Sequence, residues 1–233
     1  MALLFSIFML VMVAYIYDKL PPAFFELITI FTSDPSLQFQ WLFFDNFMSK
    51  LITLFVAPML IFDAISGDRA SERFGIMLAR PITRTQYLLM KLFSASLVFG
   101  IVFLPIVALG YPVFMSIVHT LTLEGYFGTA VLVYLLAFFT MSVGILVSTL
   151  TKKAVVSFIA MFGVMAVFMM PNATKYTSDA LNSLSMATPH YYATYFSSHA
   201  FDAATFAVYA VVVVLFSIPF IVATIWRFGK EDL

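Results

Sequence analysis

Long apolar stretches separated by short polar connections run through this chain, and most are too long to be strands or helices of a small water-soluble core. An α-helix rises about 1.5 Å per residue, so about 20 apolar residues cross a hydrocarbon layer of about 30 Å. Six stretches reach or approach that length: Met1–Tyr17, Trp41–Ile65, Tyr87–Tyr111, Tyr126–Leu150, Ala154–Met170 and Phe206–Trp226. They predict an all-α, polytopic membrane bundle of six spans, a single domain over 1–233 with a long connection at 171–205. Met1–Tyr17 reads as a first span rather than a signal peptide, because it lacks a basic n-region and a small-x-small cleavage site. Tyr15, Tyr17, Trp41, Tyr87, Tyr111, Tyr126 and Trp226 fall where an interfacial aromatic belt would sit. Pro58, Pro105 and Pro219 lie inside spans and read as packing kinks. Gly144-x-x-x-Ser148 is a small-x-x-x-small pattern that would let span four approach another helix closely.

Composition agrees with lipid as the main solvent. Of 233 residues 63% are hydrophobic and 10% charged, against about 45–50% and about 25% in a soluble domain. A net charge of zero argues against a nucleic-acid partner, which needs a basic face. With no cysteine, disulfides and thiolate chemistry are excluded. The placement of charge says more than its sum. Arg69, Arg73, Arg80 and Arg84 follow span two, with Lys91 just inside span three, Lys152 and Lys153 follow span four, and Arg227 and Lys230 follow span six. The other connections hold Lys19 and Lys175 beside Asp18, Glu26, Asp34, Glu124, Asp179 and Asp202. By the positive-inside rule the first set faces the cytoplasm, which predicts a multi-pass protein of the cytoplasmic membrane with both termini inside.

The connection between spans two and three has structure of its own. Gly67 ends span two, and a short helix at 68–79 can run until Pro81 forbids its continuation. Ala70, Phe74, Met77 and Leu78 form one apolar stripe, with Arg69, Arg73 and Arg80 on another face. Thr83-Arg-Thr-Gln86 matches a capping box that restarts a helix as span three. On these grounds alone an amphipathic surface helix and an ordinary basic loop at the headgroups are equally good readings.

The wording of this segment adds to the pattern. Ile65-Ser-Gly-Asp-Arg-Ala-Ser-Glu72-Arg-Phe-Gly75, followed by Leu78-Ala-Arg-Pro81-Ile-Thr-Arg84 and Lys91, resembles the signature of the ABC-2 family of transporter permeases. Leu146-Val-Ser-Thr-Leu-Thr-Lys-Lys-Ala154 resembles that family's cytoplasmic turn between spans four and five, and Leu184-Ser-Met-Ala-Thr-Pro189-His-Tyr-Tyr192 its last external loop. The resemblance covers about Asp63 to the C-terminus. It implies that 68–79 is a coupling helix seated on an ATP-binding subunit, with Asp68, Arg69, Glu72, Arg73, Phe74, Gly75, Met77, Leu78, Pro81, Arg84, Lys152 and Lys153 as coupling residues. It further implies an exporter with two copies of that ATPase and a second permease copy or paralogue across the substrate route. Members of the family usually begin with a basic amphipathic elbow helix, whereas this chain starts directly in apolar sequence.

No Gly-x-x-x-x-Gly-Lys-(Ser/Thr) phosphate loop occurs, so no cofactor is expected in this chain, and ATP and magnesium would belong to the partner. No histidine lies in any predicted span, which leaves an intramembrane nucleophile without its base and points away from an enzyme. An ion-coupled secondary transporter or a membrane scaffold without an ATPase is the alternative reading. Asp45 and Lys50, five apart in span two, are candidates for a structural or pathway role, because a charge at membrane depth needs a partner or a wet cavity. Asp63 is expected in the headgroup zone near Arg69 or Lys91. Tyr191 and Tyr192 suggest a short helix forming an aromatic cap at the outer interface, whereas His119, His190 and His199 read as ordinary external loop residues.

Overall fold

A computed structural model of the protein describes residues 39–70, 83–116, 120, 122–174, 178–197 and 199–230. Five of its helices are long and apolar enough to cross a membrane. They are α1 (Leu42–Asp68), α2 (Arg84–Met115), α3 (Leu123–Leu150), α4 (Ala154–Thr174) and α7 (Ala203–Gly229). Two short helices, α5 (Asp179–Ser185) and α6 (Pro189–Ala193), and a 3-10 turn at Tyr195–Ser197 fill the connection between α4 and α7. The described residues contain no strand, and the fold is a polytopic helical bundle. The first predicted span, Met1–Tyr17, lies outside the described residues, as does 71–82, most of the expected surface helix.

Side-chain caps set where the helices begin. Thr83 and Gln86 form the expected box: the Gln86 N–H donates to Thr83 Oγ1 at 3.2 Å, and the Thr83 N–H donates to Gln86 Oε1 at 3.0 Å. That moves the start of span three from Tyr87 back to Arg84. Asp202 caps α7 through the Thr205 N–H at 2.8 Å and its hydroxyl at 2.6 Å, and these bonds hold the Asp202 carboxyl below the usual carboxylate range. The helices run on through Pro105, Pro112 and Pro219. α1 is wound differently from the rest, with π-helical stretches at Trp41–Met48 and Ile52–Val56. Windings of this kind usually occur as single-turn bulges. The chain then turns at 62–65 and resumes as a short helix, Ser66–Ala70.

α3 is the centre of the bundle. Its apolar stretch is 72% buried, against 22% in α4 and 11% in α7. α7, α2, α1 and α4 all pack on it. The outward faces stay apolar, with Ile101, Val155, Val167, Val208 and Val222 exposed, as a lipid-facing surface should be. Two members of the expected aromatic belt lie in the core instead. Tyr126 is fully buried against Phe44 and Tyr111, its hydroxyl donating to the Val107 carbonyl at 3.1 Å. Tyr87 is also buried. Each finds an acceptor on a neighbouring element, which suits a phenol better than the interface does. Trp226 is exposed, with the Lys230 ammonium 3.8 Å above its ring.

The small-x-x-x-small face of α3 meets α1. A Cβ on Gly144 would lie 2.6 Å from Met161 Sδ and closer still to Ile61 Cγ2. The methionine can move, but the branched Ile61 on a packed neighbour cannot do so cheaply. A Cβ on Gly163 meets nothing within 4 Å. Gly144→Ala should therefore lower stability by about 2 kcal/mol, while Gly163→Ala leaves it unchanged or slightly raised. Unfolding of both variants in detergent micelles checks this, and equal midpoints would contradict the close approach.

Candidate functional site

The ends of the helices sort the charges. The close of α1, the start of α2, the α3–α4 turn and the close of α7 meet at one end of the bundle. The Ser66 N–H reaches Ser148, Phe62 meets Phe158, and Arg84 reaches Phe228 and Gly229. Arg84, Lys91, Lys152, Lys153, Arg227 and Lys230 therefore gather there, with Asp63 and Asp68. Glu124, Asp179 and Asp202 lie at the opposite end, with Asp45 and Lys50 in the half of α1 nearer to it.

At the basic end, Ser148 holds the break in α1. Its hydroxyl oxygen accepts the N–H groups of Ile65 and Ser66, both at 3.1 Å, and lies 3.4 Å from Ser66 Oγ. Those two donors fall where the turn interrupts the helical ladder, and being buried they must be satisfied from within the protein. The short helix that follows carries Asp68, which accepts a hydrogen bond from the Tyr87 hydroxyl and pairs with Lys91 Nζ at 2.7 Å. Lys91 thus finds Asp68 rather than Asp63, which is exposed one turn earlier. The Tyr87 ring stacks on Phe228 with centroids 6.2 Å apart, and the Lys91 ammonium lies 5.6 Å from the Tyr87 centroid. The Arg84 guanidinium donates to the Phe228 and Gly229 carbonyls, both at 3.3 Å. These carbonyls belong to the last turn of α7, the negative end of the helix and a natural seat for a cation. The start of α2 is thereby tied both to the end of α1 and to the end of α7.

The structure places the predicted coupling residues unevenly. Asp68 and Arg84 stand in one network, Arg69 lies in Ser66–Ala70, and Lys152 and Lys153 are exposed on the α3–α4 turn at the same end. Glu72, Arg73, Phe74, Gly75, Met77, Leu78 and Pro81 lie outside the described residues.

At the opposite end, Asp45 is buried and accepts a hydrogen bond from Asn172 Nδ2 at 3.1 Å, joining α1 to α4. The Ser49 hydroxyl donates to the Asp45 carbonyl at 2.6 Å. Lys50 is half-buried. Tyr191 and Tyr192 lie on α6, the expected short helix, and are half-buried; Tyr192 packs edge-on against Tyr209 of α7 with centroids 5.1 Å apart. His199 is exposed and stacks on Tyr195. His190 departs from the loop expectation: it is 1% exposed and belongs to the buried side of α6. The amphipathic pattern of Pro189–Ala193 is too short to announce which side faces inward. Ser148, Tyr87, Asn172 and His190 are the side chains whose roles the sequence pattern does not reveal. Asp45 at membrane depth is the one signal in the pattern that a partner such as Asn172 must exist.

A multi-pass helical membrane bundle with most of its described basic residues collected at one end is the class this arrangement defines. Within that class, the chain belongs to the ABC-2 transporter family, whose family model for ABC-2 family transporter proteins matches residues 1–233. It is a membrane component of an ABC-type transporter, and membership implies an ATP-binding partner. A comparison with curated proteins finds no match.

The Asp68–Lys91 pair is partly open to solvent, with side chains 16% and 31% exposed, so its coupling should be modest. A double-mutant cycle with Asp68→Asn and Lys91→Met should give about 1 kcal/mol of interaction in detergent unfolding. Additive effects would mean that the pair does not fix the end of α1.

Proposed function

We propose that this chain is the permease subunit of an exporter, with its basic end in the cytoplasm docked on a separate ATP-binding subunit. The observation that carries the reading is the tie from Asp68 through Tyr87 and Lys91 to α2, and from Arg84 to the last carbonyls of α7. A segment joined in this way to two long helices is suited to pass on a displacement applied between Asp68 and Arg84. The coupling residues lie in and around that interval, with Lys152 and Lys153 on the neighbouring turn.

In this reading, closure of two ATPase subunits on nucleotide and magnesium moves the coupling segment, and α1, α2 and α7 move with it. The displacement shifts the bundle between inward- and outward-facing states, because a packed interface has discrete arrangements rather than continuous give. The chain supplies no catalytic group of its own, and a second permease copy or a paralogue completes the substrate route. The clustering of Arg84, Lys152, Lys153, Arg227 and Lys230 at one end supports a cytoplasmic orientation for that end and for the C-terminus.

Co-purification in detergent with the ATP-binding protein encoded beside this chain tests the reading. The expected result is a stable complex whose ATPase activity is regulated by the wild-type permease and loses that regulation in Glu72→Ala. Arg84→Gln should keep the complex and weaken the regulation several-fold, because it cuts the tie to α7 rather than the docking surface. If no ATPase binds the full-length wild-type chain, an ion-coupled transporter or scaffold takes the place of this reading.

A further inference from the structure

His190 is a costly side chain to leave where it is. It lies on α6, which packs on α3, α4 and α7. Both ring nitrogens are buried without a hydrogen-bond partner. A neutral imidazole always carries one donor and one acceptor, and in this seat no described side chain or backbone group meets either. Protonation would make the seat worse. Burial, and then the positive charge of Lys50, push the His190 pKa from 6.5 down to about 3.

Among the described residues, none makes a hydrogen bond to the ring that would offset this. The elements around it carry the titratable side chains Tyr191 and Tyr192 on α6 itself, Tyr195 in the next turn and Tyr209 on α7. α1 contributes Lys50 and Asp45, and Asp45 is engaged by Asn172. α3 brings Glu124 and Tyr126 to this end, and α4 has no titratable residue. The seat itself is held by contacts, not by the helix. Five residues are too few for a helix stable on its own, so α6 keeps its place through packing of Tyr192, Tyr195 and Phe196 against Tyr209.

We propose that His190 is a proton-binding site, and that proton uptake there accompanies the lifting of α6 from its seat on the bundle. The ligand is the proton of the medium at the end opposite the basic cluster, which is the outer face under the orientation given above. The linkage has one sign. In the seated state the imidazole stays neutral down to about pH 3, while a lifted, solvated imidazole binds a proton below about 6.5. Acid therefore favours lifting, and between those two values the lifted-to-seated ratio grows by up to about tenfold per pH unit. Above about pH 7.5 the ratio levels off. The inference does not depend on the ATPase partner, and the test reads this chain alone.

Hydrogen–deuterium exchange over 185–197 checks it, using the full chain in lipid nanodiscs and correcting for the intrinsic pH dependence of amide exchange. From pH 7.5 to pH 5.5 the opening constant of this segment in the wild type should rise about tenfold. His190→Gln, which keeps polarity but does not titrate, should show no rise, and neither should His190→Phe. Because the glutamine variant stands alone as a control, a phenylalanine variant that fails to fold does not weaken the test. A flat wild-type profile, or the same tenfold rise in His190→Gln, would overturn the proposal.

Discussion

The close approach of α3 to α1 is the contact on which the basic end depends. In a bilayer, helices gain little from hiding apolar surface, because the lipid is as apolar as they are; close packing and hydrogen bonds decide association. Gly144 removes a side chain where Ile61 and Met161 come in, and Ser148, one turn on, accepts two N–H groups that the turn in α1 has released. Each half of this arrangement requires the other. Without the space at Gly144 the serine could not reach α1, and without the serine the turn would leave two buried donors unsatisfied.

From that contact the rest of the end follows. The turn at 62–65 lets the chain resume as Ser66–Ala70, which brings Asp68 to Tyr87 and Lys91 on α2. Arg84, placed by the Thr83–Gln86 box, continues the connection to α7. The opposite end is held by different chemistry: a buried Asp45–Asn172 bond and a cluster of aromatic rings around Tyr209. One end is an ionic and hydrogen-bonded network open to water, and the other is largely ring packing. The two ends therefore answer to different perturbations, the first to charge and docking and the second to packing.

Much of this is legible in the sequence, for reasons that differ by element. Spans α1 to α4 and α7 can be read because about 20 apolar residues between polar connections fit a lipid layer and little else. The Thr83–Gln86 box can be read because its signature is local, and residue size alone suggests the approach at Gly144–Ser148. The π winding of α1 cannot, since a helix apolar on all sides gives no periodicity from which to judge its pitch. Tyr87 and Tyr126 look interfacial because they stand near span ends. Their acceptors, Asp68 and the Val107 carbonyl, each lie 19 residues away in sequence. His190 looks like a loop residue for the same reason: only the tertiary seat of α6 buries it.

The unequal lengths of the spans have a consequence for the shape of the molecule in a bilayer. At about 1.5 Å per residue, the 32 residues of α2 make a rod ~48 Å long, while the 21 residues of α4 make only ~32 Å. A hydrocarbon layer of about 30 Å matches the shorter rod and not the longer. α2 must then lean, or stand proud of the lipid at one end or both. Its first turn is polar and capped, and Arg84 engages carbonyls rather than lipid, so that turn is equipped to stand in water. Protrusion there would carry the junction with α1 and α7 beyond the acyl chains, giving a water-soluble body a raised edge to grip in place of a flat membrane surface.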